Sequence, residues 1–198
     1  MTIPESLGSS LQISSGFLIA GILIIVLFFL VVIFNGLIQL VNNIDKAWAN
    51  IDVLLKKRLD LIPELVDVVK GYTTYEQGVL EEITKVRTAA LQADGIAEKT
   101  KGSEATSASL KSVFLLAENY PDLKANDNFL SLQKAIEAVE TQIAQRREFY
   151  NDTVLNYNTR IATVPGLLIA IPLRFRPREY FRVEDNVRVP IKVSLEDR

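Results

Sequence analysis

The sequence predicts an all-α membrane protein with a single N-terminal transmembrane helix, an antiparallel bundle of four long helices and an extended C-terminal tail. A long uncharged stretch lies near the N-terminus, amphipathic helical periodicity follows it, and prolines then end the helical pattern. These changes divide the chain into a short N-terminal segment (1–15), a transmembrane helix (16–41), a helical-bundle domain (42–164) and a Pro/Arg-rich tail (165–198).

The uncharged stretch predicts a membrane anchor. No charged residue occurs from Ser6 to Ile44, and the run from Phe17 to Phe34, FLIAGILIIVLFFLVVIF, is apolar throughout. At about 1.5 Å per residue, roughly 20 apolar residues cross a hydrocarbon core of about 30 Å. The preceding residues have no positive charge and no small-residue cleavage site follows, so we expect an uncleaved anchor rather than a signal peptide. No other long apolar run occurs, which predicts a single-pass protein.

The distribution of positive charge predicts the orientation. No Lys or Arg precedes the apolar run, whereas Lys46 and then Lys56, Lys57 and Arg58 follow it. Because positive residues near a span stay on the cytoplasmic side, we expect a short outside N-terminus and a cytoplasmic C-terminal domain at the cell membrane.

Composition excludes most catalytic chemistries. The chain has no cysteine and no histidine, so it lacks the residues of Ser-His-Asp and Cys-His relays and of the common zinc sites. A net charge of −2 gives no support to nucleic-acid binding. We therefore predict no catalytic, metal or cofactor-binding residues, no small-molecule substrate and no enzymatic activity. Asp60, Glu64 and Asp67 share a helix face that could hold a hard cation, but a solvated face is the favoured interpretation.

Helical periodicity continues after the anchor, with Ile44, Ile51, Leu55 and Leu59 on one face. Pro63 either kinks this helix or reverses the chain. A reversal would give four antiparallel helices and bring Pro165 back to the membrane, whereas a kink would give three passes and leave the tail at the far end.

The remaining helices follow from composition. The small polar stretch Asp94 to Ser109 predicts a loop, although its end near Ser103 could already be helical. A short helix is predicted through Leu110–Leu116. A long helix then begins at Asn126 or Asp127 and ends before Pro165. This long helix carries an unusual density of polar and tyrosine side chains, for which we predict hydrogen bonding between helices or, alternatively, a polar surface for a partner: Tyr150, Asn151, Asp152, Asn156, Tyr157 and Asn158.

The C-terminal tail combines arginines with aromatic residues. One interpretation is that its arginines contact anionic lipid headgroups or an acidic partner. The other is that Phe175, Tyr180 and Phe181 pin the tail to the bundle. Alternation from 187 to 195 predicts a short strand, which Pro190 restricts to an edge. The candidate contact residues are Arg174, Arg176, Arg178 and Arg182.

Three stretches resemble the LemA family of bacterial membrane proteins: NNIDKAWANIDVLLKKRLDLIPELVDVVKGY, LLAENYPDLKANDNFLSLQKAIEAVETQIAQRREFYNDTVLNYNTRI, and REYF near the C-terminus. The resemblance covers most of the chain from about Asn42 to Phe181, with the preceding anchor. It implies one N-terminal transmembrane helix, a short outside N-terminus and a cytoplasmic bundle of four helices. It brings no catalytic residues and no defined molecular function.

These features predict a binding function. We expect a scaffold or adaptor that contacts membrane lipid through its anchor and an unidentified protein through its bundle. A self-assembling, membrane-shaping protein is the alternative, to which the resemblance to a LemA-like protein of magnetosome membranes adds weight. A carboxylate-dependent hydrolase is the least favoured hypothesis.

Overall fold

The structure is a computed structural model that describes residues 5–72 and 76–182, with side chains from Phe17 onward. The described residues form helices and connecting turns, with no strand, which confirms the all-α prediction. The strand predicted at 187–195 lies outside the described residues. The helices are α1 (Glu5–Lys70), α2 (Gln77–Gln92), α3 (Gly95–Ala117), α4 (Pro121–Lys124), α5 (Asp127–Ala162) and α6 (Gly166–Ala170).

The described chain forms two compact units. The first contains α1 as far as Trp48 and the segment Asn151–Arg178, which includes the end of α5 and all of α6. The second contains the chain from Ala49 to Tyr150 and the described part of the tail after it, Glu179 to Arg182. Helices α1 and α5 therefore contribute to both units.

The second unit has one apolar core, to which α1, α2, α3, α4 and α5 all contribute. Its helices alternate in direction. Arg87 near the end of α2 bonds to Leu59 in the middle of the α1 segment, whereas Asn126, just before α5, bonds to Tyr72, just after α1. The buried core residues are Leu59, Ile62, Leu65, Val66, Val69, Leu80, Ile83, Leu110, Val113, Leu116, Ala117, Leu123, Phe129 and Ile136.

Pro63 does not reverse the chain, because α1 continues through it to Lys70. A proline within a helix has no N–H for the carbonyl four residues earlier, which here belongs to Leu59. The Nε of Arg87 donates to the Leu59 carbonyl oxygen at 2.9 Å. The side chain from α2 thus replaces the missing helical hydrogen bond, and the helix tolerates its proline.

The loop predicted at 94–109 is wrong, because α3 begins at Gly95. Asp94 caps the helix by accepting from the N–H of Gly95 at 2.9 Å, and its own N–H donates to Glu98 Oε2 at 3.0 Å. A Cβ built on Gly102 would meet the Ala90 Cβ at 3.3 Å, so small residues let α3 pack closely on α2. The small polar stretch is a tightly packed helix. The turn at Ala93 and Asp94 before it supplies a reversal of the chain, which only one of the two alternatives for Pro63 would have provided.

A buried arginine lies at the meeting point of three helices in the second unit. Arg58 of α1 is 1% exposed. One terminal nitrogen donates to Glu140 Oε1 of α5 at 2.7 Å and to Ser107 Oγ of α3 at 2.9 Å. The other donates to the carbonyl and hydroxyl oxygens of Ser103 at 3.1 and 3.0 Å. Four bonds at the two terminal nitrogens therefore offset part of the desolvation of the guanidinium group, whose Nε is buried without a hydrogen-bond partner among the described residues.

The first unit contains the apolar part of α1, and among the described helices α1 alone is long and apolar enough to span a membrane. Its side chains from Phe17 to Val32 are mostly exposed, as lipid-facing side chains are. Burial begins at Ile33 and continues at Leu37 and Ile44. The other buried residues in the described part of this unit are Ala47, Val154, Tyr157, Ile161, Gly166, Ile169 and Ala170.

We predict that Arg58→Ala destabilises the full-length protein by about 3 kcal/mol, because the substitution leaves the partly buried Glu140 carboxylate without its counter-charge and removes four hydrogen bonds to α3 and α5. Urea unfolding in detergent micelles, followed by circular dichroism, measures this cost. The control is Lys57→Ala, since Lys57 is an exposed neighbour whose loss should cost within about 0.5 kcal/mol. Equal costs for the two variants would contradict the role of Arg58.

A double-mutant cycle tests the pairing of Pro63 with Arg87. We expect Arg87→Met to cost about 1–2 kcal/mol in the native background, because the Leu59 carbonyl then has no donor. In a Pro63→Ala background the new N–H satisfies that carbonyl, so the same substitution should cost less than half as much. The same unfolding measurement applies, and an unchanged cost in both backgrounds would refute the pairing.

Candidate functional site

In the first unit, polar side chains of α5 hold the tail through its backbone. The Tyr157 hydroxyl donates to the carbonyl oxygen of Arg176 at 3.0 Å. Asn158 bonds to both backbone groups of Arg178, donating to its carbonyl at 3.0 Å and accepting from its N–H at 2.9 Å. The two-way bond of Asn158 imitates one rung of a β-ladder and fixes the register of the tail on the helix.

In the second unit, too, a side chain of α5 bonds to the backbone of the tail. The Tyr150 hydroxyl donates to the carbonyl oxygen of Glu179 at 2.9 Å, and Phe181 is 2% exposed. These bonds of Tyr150, Tyr157 and Asn158 correct the prediction of bonding between helices, because the acceptors and donors belong to the tail. Burial of Phe181 supports the interpretation in which aromatic residues pin the tail.

The segment around α6 ends in a helix C-terminal motif. The N–H of Phe175 bonds to the Ala170 carbonyl at 3.0 Å, and the N–H of Arg174 bonds to the Ile171 carbonyl at 3.2 Å. Arg174 itself has a φ of 55°, in the left-handed region. This is the Schellman arrangement, in which glycine usually takes the left-handed position. Arg174 therefore occupies a position where glycine would fit with less strain.

At the start of α6 glycine is required. A Cβ built on Gly166 would lie 2.1 Å from the Arg160 carbonyl oxygen, far inside van der Waals contact. The chain can therefore fold back after α5 only with glycine at this position. Helix α6 departs from the extended tail predicted at 165–198. A signal was available in the sequence, because the 13 residues between Arg160 and Arg174 carry no charge.

The folded-back segment lies beside the apolar part of α1. The rings of Phe34 and Phe175 meet edge to face, with centroids 6.4 Å apart. Leu30, Val31 and Phe34 of α1 also form an open apolar groove with Leu168, Ile169, Pro172 and Leu173. The first unit thus brings an apolar part of the tail against the part of α1 predicted to span the membrane.

The four candidate arginines are all exposed, but their surroundings differ. Arg174 is adjacent to Phe175 in the turn after α6. Arg176 is held by its backbone, and Arg178 approaches Asp45 of α1 with 3.8 Å between the charged atoms. In the second unit the Arg182 guanidinium lies over the Tyr180 ring, 4.8 Å from its centroid. The three arginines of the first unit therefore have different surroundings.

Tyr157 is a buried titratable residue among the side chains of α5 that hold the tail. Burial raises the pKa of its hydroxyl above the ordinary value of 10.0, and the positive charge of Arg178 opposes this effect in part. The hydroxyl therefore stays protonated, and able to donate to the Arg176 carbonyl, throughout the physiological range.

The acidic residues considered as cation ligands do not form such a site. Asp60, Glu64 and Asp67 are each exposed, and no group of three acidic side chains within residues 5–72 and 76–182 is arranged to hold a metal ion. Earlier in α1, also in the second unit, the carboxylate of Asp52 pairs with the ammonium group of Lys99 beside a cavity of about 150 Å³.

We predict that Tyr157→Phe lowers stability by about 1 kcal/mol at neutral pH through loss of the bond to Arg176. Because the pKa of Tyr157 is higher in the folded state than in the unfolded state, the unfolded chain loses its proton first as the pH rises above about 10. Stability of the native protein should therefore fall in that range, and the variant should lack this component of the loss. Urea unfolding at neutral pH and near pH 11 measures the difference, with Tyr180→Phe as the control for a tyrosine elsewhere in the tail. Parallel pH profiles for the native protein and Tyr157→Phe would contradict the prediction.

Comparison with known proteins places these features in a family. The profile of the LemA family matches residues 47–195. The chain is similar to protein LemA of Metamycoplasma hominis, with 27% identity over 163 residues that cover 81% of this chain and 74% of that protein.

The chain is also similar to magnetosome proteins. It is 20% identical over 184 residues to magnetosome protein MamQ 2 of Paramagnetospirillum magneticum, and 20% identical to magnetosome protein MamQ of Magnetospirillum gryphiswaldense, in each case covering 80% of this chain and 68% of the relative. Because the family profile matches about three quarters of the sequence, as the three quoted stretches indicated, this chain belongs to the LemA family.

Proposed function

We propose that this protein is a single-pass, membrane-anchored scaffold or adaptor, whose cytoplasmic helices bind another protein without catalysis. The observation that carries the proposal is the continuity of α1. One helix contains both the apolar stretch and core residues of the second unit, from Leu59 to Val69. A helical core that shares its helix with the anchor keeps its binding surface at the membrane.

The chemistry of the described residues supports binding rather than turnover. Histidine and cysteine are absent from the sequence, and Asp52, Arg58 and Lys99 beside the cavity of the second unit are each held in an ion pair. Each long helix of the second unit instead presents exposed polar side chains, among them Lys57, Lys85, Lys111 and Lys134. Polar helical faces of this kind suit recognition of a protein surface.

The alternative is a self-assembling protein that shapes the membrane. Two similar proteins are named as magnetosome proteins, and this association with one cellular structure supports the alternative. The two functions differ in the partner, which is a foreign protein for the scaffold and a second copy of this chain for self-assembly.

Photocrosslinking in cells distinguishes the two. A benzophenone amino acid is placed in turn at Lys57, Lys85, Lys111 and Lys134, one position on each long helix, and adducts are identified by mass spectrometry. The buried Val113 is the control position and should give no adduct with another protein.

For a scaffold we expect one foreign protein to be crosslinked from positions on one face and not from the opposite face. That adduct should disappear when the charge at the crosslinking face is reversed. Adducts between copies of this chain, together with a mass in detergent that rises with concentration, would support self-assembly and overturn the scaffold proposal.

A further inference from the structure

We propose that α6 and the turn after it lie in the interface of the bilayer leaflet, beside the cytoplasmic end of the membrane-spanning part of α1, with Arg174 on the lipid phosphates. The inference rests on the anchor of the proposed function. It adds a second contact with lipid, made by a part of the chain more than 100 residues away from the anchor in sequence.

The first argument is exposure of apolar side chains. Between Arg160 and Arg174 the chain carries no charge, yet Val164, Leu168 and Ile171 are 72%, 64% and 70% exposed. Leu173 is more than half exposed as well. A contiguous apolar patch of this kind marks a surface that another apolar phase covers.

The second argument identifies that phase as lipid. The open groove is lined on one side by Leu30, Val31 and Phe34, which belong to the uncharged stretch that spans the membrane, and on the other side by residues of the α6 segment. Hydrocarbon that surrounds α1 at this level also surrounds Leu168 and Leu173. No separate partner is needed to cover the patch, because it is continuous with the lipid-facing surface of α1.

The depth of the segment agrees with an interfacial position. Leu30 precedes the last residue of the apolar run, Phe34, by four residues, or about 6 Å along the helix. Interfacial helices bury their apolar faces about 5–10 Å below the headgroup boundary. Arg160 and Arg174 bound the uncharged segment at both ends, where their long side chains can reach the headgroups.

The same scale selects one arginine from the four. Arg174 is next to Phe175, whose ring packs on Phe34 at the membrane boundary. Arg178 approaches Asp45, which follows Phe34 by 11 residues, or about 16 Å along α1. The unbroken apolar run ends at Phe34 and the polar Asn35 follows, so we place the hydrocarbon boundary at Phe34, with the remainder of the predicted helix 16–41 in the headgroup region. A headgroup layer is only about 5–8 Å thick on each side, so Arg178 lies beyond it and Arg174 lies within it.

The backbone at Arg174 gives a third argument. Its φ of 55° favours glycine, so an arginine at this position makes the turn less stable than a glycine would. A residue held in an unfavourable conformation indicates a role for its side chain. A lipid phosphate satisfies this charge, for which the structure gives no acidic partner in the described part of the chain.

Depth measurements test the position of α6. The natural chain has no cysteine, so single cysteines at Leu168, Ile25 and Lys57 can each carry an environment-sensitive fluorophore in the full-length protein. The protein is reconstituted into phosphatidylcholine vesicles with and without phosphatidylglycerol, and quenching by spin-labelled lipids is compared with quenching by aqueous iodide.

We expect lipid quenching at Ile25 and Leu168, with a shallower label most effective at Leu168, and iodide quenching only at Lys57. Iodide quenching at Leu168 with lipid quenching at Ile25 would overturn the inference and leave the anchor intact. Absence of lipid quenching at Ile25 would instead overturn the anchor itself. If neither lipid nor iodide quenches the label at Leu168, and its fluorescence depends on protein concentration, the patch is covered by a second copy of the chain. That result would also overturn the inference.

Two pairs of variants isolate the contributions. Leu168→Asp should reduce lipid quenching of a label at Ile171 several-fold, whereas Leu115→Asp, at a leucine of α3 that is 56% exposed, should leave it unchanged. We expect lipid quenching at Ile171 to be stronger in vesicles that contain phosphatidylglycerol than in vesicles without it. Arg174→Gly fits the backbone and should preserve folding, yet it should abolish this difference. Arg178→Gly should leave the difference unchanged. Equal effects at Arg174 and Arg178 would refute the assignment of Arg174 to the lipid phosphates.

Discussion

The second unit depends on the buried guanidinium of Arg58. An arginine inside a core is costly unless its donors are paired, and here α3 and α5 together supply four acceptor contacts. A shift of one helix turn in α3 would move Ser103 and Ser107 away, and a shift in α5 would remove Glu140. Apolar side chains tolerate such slippage because their contacts are non-directional. Arg58 therefore specifies the register of three helices, while the surrounding aliphatic residues supply most of the burial energy.

The need to pair buried polar groups, here backbone groups, explains two other features. Pro63 frees the Leu59 carbonyl, and Arg87 of α2 satisfies it, so a local defect in α1 becomes a contact between helices. Beyond α6 the described part of the tail, as far as Arg182, forms no helix, and Tyr157 and Asn158 supply bonds for its backbone in the first unit. Residues that are poor helix formers thus persist in α5 because they hold a strand-like segment, and their cost in helix propensity is compensated there.

The sequence predicted the helices whose pattern is strongly periodic and missed the elements that depend on partners. The anchor and α5 follow from apolar spacing and from prolines, which are local properties. The segment 94–109 read as a loop because Thr100, Ser103 and Thr106 are polar, yet all three are buried, and Ser103 pairs with an arginine 45 residues away. Arg58 itself occupies the stripe of Ile51, Leu55 and Ile62 at spacings of three and four, so a charge in a core position was the available signal. For the candidate site, the sequence identified the arginines and aromatic residues of the tail, but only the fold separates Arg174 from Arg178.

A second lipid contact changes what an anchor can do. A single transmembrane helix fixes the distance of a protein from the bilayer, but its rotation and tilt are set by other contacts. The α6 segment lies to one side of α1, so its insertion into the interface selects one rotation of the first unit about the axis of that helix. Because Gly166 permits the close return of the chain and Phe175 packs on Phe34, this geometry is built into the fold rather than imposed by lipid. In the proposed scaffold, a fixed rotation of the first unit presents the same side of that unit to every partner, which lowers the entropy lost on binding. On this proposal the α6 segment, together with the anchor, determines how the first unit is presented at the membrane surface.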